Sequence, residues 1–190
     1  MEYNLIRNYN ELTDNGVKKS EKYLLKKLPL NNDEDRESCL RFLTQTNQHL
    51  LLCHNHYNTD YINTVIEESK YLLYFHKESA VDDIVSFALL KTIRRNKNKN
   101  ILNILLLCAL PNNKKFGQMM ANSVYTFAKE RDFGFIYTMP RTKELRDTFV
   151  KYGFETIYGI EGIDEVLEKD ISQNETIILN CSKTRKLSAK

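Results

Sequence analysis

Lys114, Lys115 and Gly117 stand where a long apolar run, Ile101 to Leu110, gives way to a segment of helical spacing. Between the two lies a short polar break, Pro111-Asn112-Asn113, and beyond it Phe116, Met120, Val124, Phe127 and Ala128 recur on one helical face. A helix that opens at such a loop presents backbone N–H groups with no internal partner and the positive end of its dipole, so it receives a phosphate well. Gly117 permits close approach of the backbone, and the two lysines add charge beside the amides of Phe116, Gly117, Gln118 and Met119. The plainer reading of the same residues is a turn glycine between solvated lysines.

Other reactive side chains form weaker patterns. His54 and His56 would share a face if they lay on a strand, but neither they nor His49 and His76 come with a third ligand at supporting spacing, so no metal site is expected. Cys39, Cys53, Cys108 and Cys181 are far apart and form no CxxC pair, which predicts reduced thiols, with Cys108 a small buried apolar residue. Asn174-Glu175-Thr176 and Asn180-Cys181-Ser182 match the glycosylation pattern, read here as chance. No carboxylate lies within Ile101 to Leu110, which leaves Glu78, Asp82, Asp83 and Glu161 as candidate bases reaching in from loops, or a water chain.

The surface on which these residues sit is mixed in charge, with 28 basic and 25 acidic residues giving +3, so nucleic-acid binding is not expected. The basic clusters at Arg94 to Lys99 and Lys183 to Lys190 read as solvated segments. Without a signal peptide or an apolar run of membrane-spanning length, the expected address is cytoplasmic, with no membrane partner. One domain over residues 1–182, followed by a basic tail at 183–190, accounts for the whole chain.

Periodicity supplies the elements that must position the loop. Tyr3 to Arg7 reads as a strand, and Thr13 to Leu28 as a helix presenting Val17, Leu24 and Leu28 and stopped by Pro29. Asn31 and Glu34 form a capping pair for a helix to about Thr46, and Tyr61 to Glu68 reads as a short helix. Tyr71 to Phe75 and Ile84 to Leu90 read as an antiparallel pair, and Ile101 to Leu110 as a central strand buried on both faces. Phe133 to Met139 is a further strand, Thr142 caps a helix through Leu145, Phe149 and Tyr152, and Gly153 suits its left-handed end. Phe154 to Tyr158 and Thr176 to Asn180 complete the strands, with acidic Glu161 to Asp170 between them.

This order of elements resembles the GCN5-related N-acetyltransferase (GNAT) family. The resemblance rests on Ser86-Phe87-Ala88, Leu110-Pro111, Lys115-Phe116-Gly117 and Lys151-Tyr152-Gly153-Phe154-Glu155, with Asn112 and Lys115 departing from the usual pyrophosphate loop. It implies an α/β fold with a single mixed central sheet flanked by helices, and acetyl transfer from acetyl-CoA to an amine of a small molecule or protein. It further implies that the pantetheine arm pairs with the main chain at Leu107 to Leu110, and that amides near Cys108 and Leu110 polarise the thioester carbonyl. Lys114, Lys115, Phe116, Gly117, Gln118 and Met119 would then bind the pyrophosphate. Phe149 stands where the family often has a tyrosine acid, and is expected to pack beside the pantetheine, while Tyr152 lies about 60° further around the helix. A fold relative that has lost catalysis and acts as a binding module is the alternative.

Overall fold

A computed structural model describes residues 7–12, 18–44, 52–53, 57–94, 100–111, 114–160 and 163–172. The described elements are β1 (Arg7–Leu12), β2 (Lys18–Pro29), α1 (Asp33–Thr44), α2 (Thr59–Glu68), β3 (Tyr71–Lys77) and β4 (Ala80–Arg94). They continue with β5 (Asn100–Ala109), α3 (Lys114–Glu130), β6 (Phe135–Thr138), α4 (Lys143–Lys151), β7 (Glu155–Ile160) and β8 (Ile163–Asp170). All eight strands form one sheet in the order β1-β2-β3-β4-β5-β6-β8-β7. Only the β5–β6 pair is parallel; every other pairing is antiparallel. This is the mixed sheet flanked by helices that the sequence implied.

Each face of the sheet carries its own apolar layer. On one face α3 lays Phe116, Met120, Val124 and Phe127 over Leu73, Phe75, Leu102 and Ile104, with Phe149 of α4 beside them. On the other, Cys39 and Leu43 of α1 and Ile62, Val65 and Ile66 of α2 cover Leu72, Phe87, Leu89 and Leu106. At about 1.5–3 kcal/mol for each fully buried aliphatic side chain, the three α2 residues anchor a helix of only ten residues that would not hold in water by itself.

Caps set the helix ends. Asn58 accepts from the Tyr61 amide at the start of α2, and Thr142 from the Leu145 amide at the start of α4, as expected for Thr142. At α1 the capping oxygen belongs to Asn32, which accepts from the Asp35 amide, rather than to the expected Asn31 and Glu34 pair. Gly153 has φ 79°, the left-handed conformation predicted for it.

Two expectations are corrected. The helix expected over Thr13 to Leu28 is strand β2, because burial falls on Tyr23 and Leu25, two apart, and both pair with β3 at Lys77 and Phe75. The acidic segment Glu161 to Asp170 contains β8, whose inward positions are Glu165, Leu167 and Lys169. Charge hid the alternation there: Glu165 is held by the Arg146 guanidinium at 2.7 and 3.2 Å, and Lys169 donates to the Tyr152 carbonyl. The strand expected at Tyr3 to Arg7, apart from Arg7 itself, which opens β1, the strand expected at Thr176 to Asn180, the histidines His49, His54 and His56, Cys181, Glu161 and the tail at 183–190 lie outside the described residues.

Candidate functional site

Strand β5 changes partners halfway along. Its parallel pairing with β6 runs from Ile101↔Phe135 to Ile104↔Thr138 and stops there, although β5 continues to Ala109. At the same place its register with β4 slips: Leu90 faces Ile104 and Leu89 faces Leu106, so Leu105 is an extra residue. A β-bulge of this kind bends the strand and re-aims its side chains. Leu102 and Ile104 accordingly join the α3 face, whereas beyond the bulge it is Leu107 and Ala109 that face α3 and Leu106 and Cys108 that face α2. The result is a gap between the last half of β5 and the chain leaving β6.

Backbone polarity in that gap follows from the ladder. The Leu110 amide donates to the Val85 carbonyl at 2.9 Å, and Cys108 pairs with Phe87 two residues earlier in the same register. Because hydrogen-bonding direction alternates along an antiparallel strand, Leu110 and Cys108 direct their main-chain groups at β4, and Leu107 and Ala109 direct theirs at the gap. The main-chain amides that face the gap are therefore those of Leu107 and Ala109, one position away from the Cys108 and Leu110 amides that the sequence singled out.

At the end of β5 the chain turns into α3, which opens at Lys114. Phe116 and Met119 are buried, with the Phe116 ring 5.1 Å from that of Tyr23, and act as the anchor of the helix rather than as its exposed tip. Lys115 and Gln118 face solvent on the other side of this first turn. Gly117 lies against the strand: a Cβ added there would sit 3.8 Å from that of Ala109, an ordinary contact. The predicted loop residues are thus brought together beside the open half of β5.

Two cavities lie near the end of the β5–β6 pairing, one beneath α3 and α4 and one beside the start of α2. On the α3 face a narrow cavity of about 40 Å³ is bounded by Ile104, Asn122, Tyr125, Phe149, Tyr152 and Lys169. Phe149 is 2% exposed and meets the Phe154 ring at 4.9 Å, so it forms an apolar wall here. Tyr152 caps the end of α4 and is half-buried beside it. The second, an open cavity of about 400 Å³, is lined by Tyr57, Asn58, Tyr61, Arg141 and Thr142. Tyr57 and Tyr61 stack at 4.9 Å, and the Arg141 guanidinium lies 5.7 Å from the Tyr61 ring. Burial raises the Tyr57 pKa, helped by Tyr61 and opposed by Arg141, so its hydroxyl stays protonated at neutral pH. Sequence reasoning missed these three residues because they lie far apart in the chain.

The thiols are also corrected. Cys53 and Cys108 form a disulfide, linking the segment before α2 to the bulged half of β5. The expectation of reduced cysteines failed because separation along the chain says nothing about Cα distance, which is 4.9 Å here. Disulfides persist in oxidising surroundings, so the cytoplasmic expectation loses its cysteine argument. No helix among the described residues is long and apolar enough to cross a membrane. Cys39 is free and buried, and burial pushes its thiol up to about 12.

Of the candidate bases, Glu78 pairs with Lys22 at 3.7 Å and Asp83 with Lys77 at 2.9 Å. Their turn lies at the same end of the sheet as Ala109, because Ser86 pairs with Ala109. His76 is buried with Nδ1 2.8 Å from the Lys77 carbonyl. Among the described residues no group of His, Cys, Asp and Glu is placed to hold a metal ion.

No family model and no curated protein matches the chain. Solved structures do. A GNAT-family acetyltransferase from Listeria monocytogenes superposes with TM-score 0.52 at 13% identity, covering 79% of this chain and 95% of that one. A mosquito arylalkylamine N-acetyltransferase-like protein, 5b, gives 0.54 at 10% identity over 78% and 100%. The ribosomal-protein-S18-alanine N-acetyltransferase of Escherichia coli gives 0.51 at 9% identity over 81% and 98%. At these identities the likeness is one of fold.

Proposed function

We propose that this chain, which has the GCN5-related N-acetyltransferase fold, transfers an acetyl group from acetyl-CoA to an amine. The observation that carries the reading is that the β5–β6 pairing stops at Ile104, where β5 also bulges against β4, so that the last half of β5 has no strand partner on that side among the described residues. Two reactants can then meet at this open edge.

In this reading the pyrophosphate rests on the first turn of α3, where the amides of Lys114, Lys115 and Phe116 lack helical partners, Gly117 leaves room for close approach and the Lys115 side chain adds charge. The pantetheine arm lies along the open edge of β5, paired with the main chain of Leu107 and Ala109 and walled by Phe149. The acceptor nitrogen bonds to the acetyl carbon, the carbon–sulfur bond breaks, and the nitrogen loses its proton. Charge developing on the acetyl oxygen is met by an amide of the open edge. Phe149 offers no proton, so the thiolate, with a conjugate-acid pKa of about 8.5, leaves unassisted or takes a proton from water. Glu78, Asp82 and Asp83 remain the candidate bases at that end of the sheet, or a water chain serves.

The same Phe149 favours a second reading, a CoA-binding module without catalysis. The test is twofold. Acetyl-CoA raises the melting temperature under both readings, since a ligand of the folded state stabilises it. Only transfer releases free CoA thiol when an amine is added.

A further inference from the structure

We propose that the cleft between Tyr57, Tyr61 and Arg141 is the acceptor subsite, and that it selects amines carrying a carboxylate or phosphate. This rests on the transferase reading for its placement and on the cleft itself for its chemistry.

The placement follows from two covalent tethers. Tyr57 comes four residues after Cys53, whose disulfide fixes it to Cys108 on the bulged half of β5, so the chain reaches at most about 14 Å from that anchor. Arg141 comes three residues after Thr138, the last residue of β6 to pair with β5, a reach of at most about 11 Å. One wall of the cleft is therefore tethered to the bulged half of β5 and the other follows directly on the end of β6, and none of its lining residues is shared with the cavity formed by Phe149 and Tyr152.

The chemistry follows from the lining. Arg141 is the one charged residue among the five described residues that bound the cleft. A guanidinium matches carboxylate and phosphate with two parallel N–H donors, and it repels a second cation brought into the same space. The stacked rings of Tyr57 and Tyr61 supply a flat apolar wall, and a tyrosine O–H can donate to an anion. Asn58 and Thr142 contribute less, because their side-chain oxygens already cap α2 and α4. None of the five described lining residues is a carboxylate that would hold a polyamine. An amine with an anionic group at its far end finds the guanidinium for that group and keeps its nitrogen for the gap.

The test uses the full chain with four acceptors of one length: 6-aminohexanoate, 6-aminohexyl phosphate, hexylamine and 1,6-diaminohexane. The expected kcat/KM for the better of the two anionic amines exceeds that for the diamine at least about tenfold. Arg141→Ala abolishes the preference and Arg141→Glu inverts it, while the acetyl-CoA-induced rise in melting temperature stays as in the native protein. The two anionic arms separate carboxylate from phosphate. A native preference for the diamine, or a ratio unchanged in both variants, overturns the proposal and leaves the transferase reading standing. If no amine is turned over, calorimetric titration of both anionic amines into CoA-saturated protein decides. Binding lost in Arg141→Ala keeps the subsite and sinks the transferase reading, and no binding of either overturns the subsite.

Discussion

Cys108, on the bulged half of β5, is bonded to Cys53, 55 residues earlier in the chain. A loop of that length contributes about 4 kcal/mol in the chain-entropy treatment of cross-links. Reduction by a dithiol is therefore expected to lower the melting temperature by many degrees. The Cys53→Ser/Cys108→Ser protein should reproduce the loss and raise KM for the acceptor more than for acetyl-CoA, because the bond ties the Tyr57 side of the cleft to β5. Thiol titration of the native, unreduced protein under denaturing conditions should find two fewer thiols than the four cysteines present; four would remove the cross-link from the account.

Gly117 tests where the proposed reading puts the pyrophosphate. Since a Cβ there meets only Ala109 at 3.8 Å, Gly117→Ala should fold and still respond to acetyl-CoA. Gly117→Val brings a branched side chain to the first turn and should remove most of the ligand-induced thermal shift from a folded protein. An undiminished shift in the valine variant would put the anion elsewhere.

On the proposed transferase reading, variants at Phe149 and Tyr152 test whether a side chain protonates the leaving thiolate. Phe149→Tyr is expected to keep or raise turnover. Tyr152→Phe should change it less than about threefold, under about 0.7 kcal/mol of barrier. A hundredfold loss in Tyr152→Phe, with acetyl-CoA still bound, would make Tyr152 the acid.

Glu165 is 3% exposed and takes two hydrogen bonds from Arg146, with Thr156 as a further donor. Removing one partner of a buried ion pair leaves the other charge uncompensated, at a cost of about 3–5 kcal/mol. Glu165→Ala should lower stability by that order in denaturant titration, and Arg146→Met/Glu165→Leu should recover most of it. Equal losses in the single and double variants would deny the pair its structural role.

Much of the sheet is legible in the sequence for a physical reason. β5 is packed on both faces, so its run from Ile101 to Ala109 is apolar except for Asn103, and α3 shows its single buried face at helical spacing. The same uniformity conceals the bulge, because Leu105, Leu106 and Leu107 are identical and carry no parity to be broken. β2 does not show as a strand because lysines interrupt its pattern around Tyr23 and Leu25, and β8 does not because its inner face uses Glu165 and Lys169, whose partners lie elsewhere in the chain. The loop at Gly117 could be found as one contiguous run. The cleft of Tyr57, Tyr61 and Arg141 could not, since only folding brings α2 beside the chain leaving β6.

The most direct measurement follows free CoA thiol and N-acetylated product together, by mass spectrometry, in a reaction of the purified chain with acetyl-CoA and the four six-carbon amines. The account predicts product formed mole for mole with released CoA, only when an amine is present. Acetyl-CoA that binds and raises the melting temperature, yet is not consumed with any of the amines at protein concentrations comparable to the substrates, would contradict it.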